Sequence, residues 1–185
     1  MSGENEVQTE APAKKEEKLP KKKKRTAKSL AIEFFIRIAV TAVLITVVLV
    51  FVAGVYVNHS NSSYPMIKDG DLCMTLKLKQ PEQGDAVAYE HDGGILFGRV
   101  IAEGGDVVEI KDGYVAVNGF GLFEDTVYPT NTEGSAIEYP YTVPENTYFI
   151  LNDFRSDVTD SRIYGGISKD DYKGKVIFLM RRRGF

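Results

Sequence analysis

Residues 98–119 read GRVIAEGGDVVEIKDGYVAVNG, and this stretch decides the fold class. DVVEI and YVAVNG are short, rich in β-branched residues and alternate apolar with polar, the pattern of strands with one buried face. Between them lie Asp112 and Gly113, residues that accept the positive φ of a tight primed turn, so the spacing predicts a hairpin closed at that pair. The same signature recurs outward in LCMTLKL (72–78), DAVAY (85–89), ILFGRVIA (95–102), NTYFIL (146–151) and KVIFLMR (175–181), bounded by Gly-Asp, Asp-Gly, Gly-Gly and Pro-Glu pairs. A mainly β domain, folded back on itself to limit open edges, follows. Residues 120–144 are less periodic and read as a long excursion whose role the sequence leaves open.

Ahead of this domain, Ile38 to Val57 runs IAVTAVLITVVLVFVAGVYV, 20 residues without a charge. At ~1.5 Å per residue a helix of that length crosses the ~30 Å hydrocarbon core of a bilayer. A cleavable signal peptide has a shorter apolar region and a small-residue cleavage site, and no such site follows Val57. KKKKR at 21–25, with Lys28 and Arg37, precedes the segment, whereas Asn58 to Ser63 carries no Lys or Arg. The positive-inside rule therefore places the N-terminus in the cytoplasm and the C-terminal domain outside the cell. The expected organisation is a disordered cytoplasmic tail over 1–30, a single transmembrane helix over 31–57, and an extracellular β domain over 58–185.

The net charge of −3 hides an uneven distribution, because the basic cluster belongs to the tail and the acidic excess to the ectodomain. An acidic ectodomain argues against nucleic acid as a partner. One cysteine, Cys73, excludes an intramolecular disulfide, and two histidines, His59 and His91, do not suggest a zinc site. Neither a metal nor a cofactor is expected.

Four segments carry a family resemblance. SSYPMIKDGD (62–71) resembles the nucleophile box of the type I signal peptidases, a serine followed after two residues by proline and then by Gly-Asp. QGDAVAY (83–89) is similar to the next strand of that family, GRVIAEGGDVVEIKDGYVAVNG (98–119) to its following hairpin, and LNDFRSDVTDSRIYGG (151–166) to its C-terminal box. The resemblance covers most of 38–182 and implies a signal-peptidase-like β fold on a single N-terminal transmembrane helix. It also implies a serine-lysine dyad, in which a neutral lysine takes the serine proton and the alkoxide attacks a peptide carbonyl.

By position, Ser62 falls on the nucleophile, its N–H on one oxyanion donor, and Ser60 on a second donor position that some members use. Asp153, Arg155, Asp160, Ser161 and Arg162 match supporting residues of the C-terminal box; in the family that serine helps to orient the lysine. The lysine itself is missing. Where the family has Lys-Arg-Val-Ile-Gly, this chain has Gly98-Arg99-Val100-Ile101-Ala102, so Gly98 leaves the base position vacant. Ser63 stands in place of the usual Met, and Met66 in place of the usual Thr. His59, His91, Lys68, Lys77 and Lys79 are the substitutes to consider for the base, although none occupies a position the family uses.

Loss of a general base typically removes ~10²- to 10⁴-fold in rate. The resemblance therefore implies a non-catalytic, signal-peptidase-like factor of a Gram-positive-type cell membrane. Such a factor would hold secreted precursor or pilin segments and assist pilus assembly beside a sortase. The alternative is an active signal peptidase that uses Ser62 with an unorthodox base.

Overall fold

The computed structural model describes residues 26–123 and 128–181. The expected disordered tail lies mostly outside them, apart from its last residues, which are helical. The described residues up to Val40 form one compact unit and those from Thr41 a second.

Helix α1 runs Ala27–Val47 and continues as a π-helical stretch, Val48–Val52. From Ala27 to Val52 it is long and apolar enough to cross a membrane, and Phe34, Phe35, Leu44 and Phe51 are all exposed. The strands are β1 Ala53–Val57, β2 Leu72–Leu76, β3 Ala86–His91, β4 Gly94–Glu103, β5 Val107–Lys111, β6 Tyr114–Val117, β7 Phe120–Gly121, β8 Tyr141–Thr142, β9 Thr147–Leu151, β10 Ile167–Ser168 and β11 Tyr172–Met180; a short helix α2, Ser161–Tyr164, precedes β10. The fold is mainly β, as the turn chemistry predicts.

The apolar run 38–57 is not one helix. Its last five residues form β1, antiparallel to β2 from Ala53↔Leu76 to Val57↔Leu72. The cause is local: Gly54 is a poor helix former, and Val55, Tyr56 and Val57 suit a pleated surface. At Gly54 a β-carbon would run into the Tyr56 ring of the same strand and lie 2.7 Å from Thr75 Oγ1 of β2, so the two side chains together close over the bare backbone there. The helix thus begins at Ala27 rather than residue 31, and the β domain at Ala53 rather than residue 58.

Two antiparallel sheets follow. The larger has the order β1-β2-β11-β3-β4-β9-β10, the smaller β7-β6-β5-β8. The hairpin at 98–119 is present with Lys111 opposite Tyr114 and positive φ at Asp112 (53°) and Gly113 (85°), the signature of a type I′ turn. Between the sheets, Ile101 and Ala102 of β4 and Phe149 and Leu151 of β9 pack on Val108, Ile110, Val115 and Val117. A second cluster, Val87, Tyr89, Val100, Tyr148, Ile150 and Ile167, covers another part of the large sheet. Of the excursion 120–144, the described part contributes β7 and β8 to the edges of the small sheet.

Candidate functional site

The β1–β2 connection holds both serines, and Asn58, only 2% exposed, organises it from within. Its N–H donates to the Asp71 carbonyl (2.9 Å), its own carbonyl accepts from the Gly70 N–H (2.8 Å), and its amide nitrogen donates to the carbonyls of Ser60 and Lys68. This anchorage sets Ser60 Oγ 2.6 Å from Ser62 Oγ, and Ser60 Oγ accepts the Ser62 N–H at 3.1 Å. The Ser62 N–H, the expected oxyanion donor, is therefore engaged by Ser60. The Ser62 carbonyl accepts from the Phe154 N–H (2.9 Å), which ties the serine loop to the C-terminal box.

The next residue joins the loop to β4. Ser63 is 2% exposed, and its hydroxyl donates to the Phe97 carbonyl at 2.7 Å. Ser62 and Gly98, which the resemblance assigns to the nucleophile and the base, each lie one residue from an end of that hydrogen bond. Ser63→Ala leaves a buried carbonyl without its donor, and a loss of ~1 kcal/mol is expected, read as a lowered denaturant midpoint.

Gly98 is buried in β4 opposite Val87. A β-carbon there would lie 2.5 Å from Ile150 Cγ2 and 3.1 Å from the Leu151 carbonyl oxygen. Ile150, 1% exposed, pairs with Val100 across β4 and β9. Gly98 stands where the resemblance implies a base, and the space beside its backbone is not open. The Ile150 methyl group occupies it, because removal of the side chain at 98 lets β9 pack its isoleucine against the bare backbone.

The C-terminal box folds into a closed network. Asp160 and Arg162 are both 0% exposed, with Arg162 Nε 2.9 Å from Asp160 Oδ1 and Nη2 2.8 Å from Oδ2. Asp160 also caps α2 by accepting the Arg162 N–H (3.0 Å), and it accepts the Asn152 N–H (2.9 Å). Arg162 donates further to the carbonyls of Arg155 (2.7 Å) and Asp157 (2.6 Å). Arg155, also 0% exposed, donates to Thr130 Oγ1 at 2.7 Å. Ser161 Oγ accepts the Ile150 N–H at 2.9 Å, so the hydroxyl expected to orient a lysine fixes the isoleucine that fills the lysine's place. Asp153 pairs with neither Arg155 nor Arg162. It takes Arg99 of β4 in a bidentate bridge, Nε to Oδ1 at 2.8 Å and Nη2 to Oδ2 at 2.9 Å.

A family model described as "Signal peptidase, peptidase S26" matches residues 31–181. The chain belongs to this signal peptidase family. It is 28% identical over 172 residues to "Signal peptidase IB" of Staphylococcus aureus, covering 80% of this chain and 87% of that one. It is 29% identical over 153 residues to "Probable signal peptidase I-2" of Synechocystis, covering 74% of this chain and 67% of that one. Among solved structures it resembles a signal peptidase I from Enterococcus faecalis, with 28% identity and a TM-score of 0.48, over 54% of this chain and 98% of that one.

A signal peptidase of serine-lysine type needs a base within hydrogen-bond reach of its serine. Among the described residues the Ser62 hydroxyl bonds only to Ser60. The candidate substitutes are engaged elsewhere or exposed. Lys68 lies over the Tyr64 ring, Lys77 donates to the carbonyls of Leu49 and Val50, Lys79 pairs with Glu82, and His91 stacks on Tyr164 with ring centroids 3.8 Å apart. His59 is exposed beside the loop that Asn58 closes. Tyr89, wholly buried in the cluster that contains Ile150, is held in its neutral phenol form by burial and by the field of Asp160. Nor does Cys73 offer a second nucleophile, since burial, with Asp71 nearby, pushes its thiol up to about 11.

Sequence reasoning passed over three residues here. Asn58 carries only a weak signal, an Asn at the head of a serine-rich turn. Arg99 adjoins the base position and Asp153 lies in the matching box, so a charge pair is conceivable from the sequence alone, though 54 residues separate them. Ile150 is marked as buried by its strand pattern, but no periodicity says which residue it faces.

Proposed function

We propose that this family member is a non-catalytic, membrane-anchored factor that holds an extended segment of a secreted precursor. The observation that carries the reading is the contact at Gly98, where Ile150 fills the space that a base would need. Without a base, the Ser62 hydroxyl is a poor nucleophile at neutral pH. A binding role needs less. The Gly94–Gly98 part of β4 pairs with β3 on one side, while β9 pairs only from Arg99 onward. Among the described residues no strand pairs with Ile95 and Leu96 on that other side, next to the Phe97 carbonyl that accepts from Ser63 Oγ, and an extended segment can add there as a short strand.

The retained charge network suits this role, because buried Asp-Arg pairs hold segments in place whether or not bonds are broken. The reading places the N-terminus in the cytoplasm and the β domain outside, on the strength of the basic run at 21–25. In its narrowest form the client is a pilin and the neighbour a sortase, a reading that rests on the likeness of this degenerate box to the pilus-assembly members of the family.

The test is a cleavage assay with the full chain in detergent micelles and a secretory precursor that carries its signal peptide. No product is expected above the rate given by Ser62→Ala. Cleavage by the wild type that Ser62→Ala abolishes would overturn the proposal and establish an unorthodox base.

A further inference from the structure

A second feature adjoins the serine loop and takes no part in the dyad. A groove of about 1330 Å³ runs from Pro65 and Met66, along β4 from Arg99 to Glu103, to the small sheet at Asn118 and Phe120. It is larger than the ~300 to 1,000 Å³ usual for small-molecule pockets, so its dimensions suit a stretch of polypeptide. Its floor is apolar, with Ile101 and Ala102 at 1% and 2% exposure. On its rim stands Phe120, 79% exposed, in β7, the edge strand of the small sheet.

The charge of the lining is one-sided. Glu82, Glu103, Asp106 and Asp153 contribute carboxylates, and Arg99 is the cation among the described lining residues. Arg99 is committed to Asp153 through both carboxylate oxygens and to the Gly84 carbonyl at 2.6 Å. The side chains of Glu82 and Glu103 are 74% and 62% exposed, and their salt bridges to Lys79 and Lys169 span 3.3 and 3.8 Å, so both remain able to exchange partners. Carboxylates beside an exposed aromatic face favour lysine or arginine, which gains from the charge and from the ring together.

We infer that this groove binds a cationic, apolar-spaced segment of a client polypeptide, with Lys or Arg side chains set against Glu82, Glu103 and Asp106 and an apolar residue against Phe120. The inference rests on the client-holding reading above and names the chemistry of a second part of that client. A chain held at the β4 edge passes the serine loop, and Pro65 and Met66 of that loop form the near end of the groove. The segment's own polarity then selects the client, which the short β4 edge, reading backbone alone, does not.

The experiment uses the full chain in nanodiscs of zwitterionic lipid, with empty nanodiscs as the blank, and fluorescence anisotropy of the labelled peptide Lys-Ala-Phe-Lys-Ala-Phe-Lys. Binding at least ~10-fold tighter than that of the Glu-for-Lys counterpart is expected, weakening as salt is raised. The double variant Glu82→Lys/Glu103→Lys is expected to lose that preference, and Phe120→Ala to weaken binding several-fold. Should charge reversal impair folding, Glu82→Gln/Glu103→Gln carries the same test with an intermediate loss. Equal affinity for the two peptides, or unchanged affinity in either double variant, overturns the inference. The outcome is separable from that of the cleavage assay. An active enzyme whose groove still prefers the cationic peptide loses only the non-catalytic reading, whereas an inert protein without the preference loses only the groove.

Discussion

Asp160→Ala is expected to cost about 3–5 kcal/mol of folding stability, the usual penalty for breaking a buried ion pair by removing one partner. The Arg162 guanidinium left behind is wholly buried and loses its bonds to both carboxylate oxygens. The same substitution strands the Asn152 N–H and removes the cap of α2. A contrast sharpens the expectation. Asp153→Ala also breaks a bidentate pair, but the Arg99 side chain is 25% exposed and keeps its bond to the Gly84 carbonyl, so water and that carbonyl take up the charge. Its loss is expected near 1 to 2 kcal/mol, in the range for a charge-assisted hydrogen bond that is not fully buried. Denaturant unfolding followed by tyrosine fluorescence measures both, since the chain has 10 tyrosines and no tryptophan. Equal losses for the two variants would show that burial is not what separates the pairs.

The two pairs also show how far the sequence carries. Strands closed by Gly-Asp and Asp-Gly turns are legible because turn chemistry and alternation are local, and the β5–β6 hairpin lies where Asp112-Gly113 places it. The residues of both boxes are legible because the family spacing is kept, and the Phe154 N–H on the Ser62 carbonyl holds those boxes against each other. Less legible was the end of the helix. Ala53 to Val57 is as apolar as the helix before it, so hydropathy does not mark the boundary; Gly54 and the strand formers after it favour the change, and pairing with β2 across the serine loop fixes it. Partners across strands are the least legible. Asp153 could have been assigned to Arg155 or Arg162, both close in sequence, and its true partner depends on the register between β4 and β9. Ile150 has the same origin. An absent lysine can be read from one position, but what fills its place is decided by the neighbouring strand.

That distinction makes the restoration of the lysine informative. Gly98→Lys alone is expected to destabilise the protein by at least ~1 to 3 kcal/mol and to give no cleavage, because overpacking a close-packed site forces its neighbours to move. The neighbour here is the branched methyl group of a buried isoleucine, fixed through its backbone N–H by Ser161. It cannot swing aside as the tip of a long side chain could. Ile150→Ala alone is expected to cost ~2 to 5 kcal/mol through the cavity it leaves. Combined, the two changes are expected to be less costly than their sum, since the lysine stem occupies the space the isoleucine vacates; a coupling of ~0.5 to 3 kcal/mol is the usual size for contacting residues. A lysine so placed stands among Val87, Val100 and Tyr148, apolar surroundings that lower its pKa and favour the neutral form a base requires. The double variant is therefore the one expected to gain cleavage of a secretory precursor, by ~10²-fold or more over the parent, with the gain lost again on Ser62→Ala. Gly98→Lys that is as stable as the parent and cleaves without help from position 150 would refute the steric account. Additive costs with no cleavage from the double variant would show that the Ser60–Ser62 pair, whose oxyanion N–H is bonded to Ser60 Oγ, is itself set against catalysis.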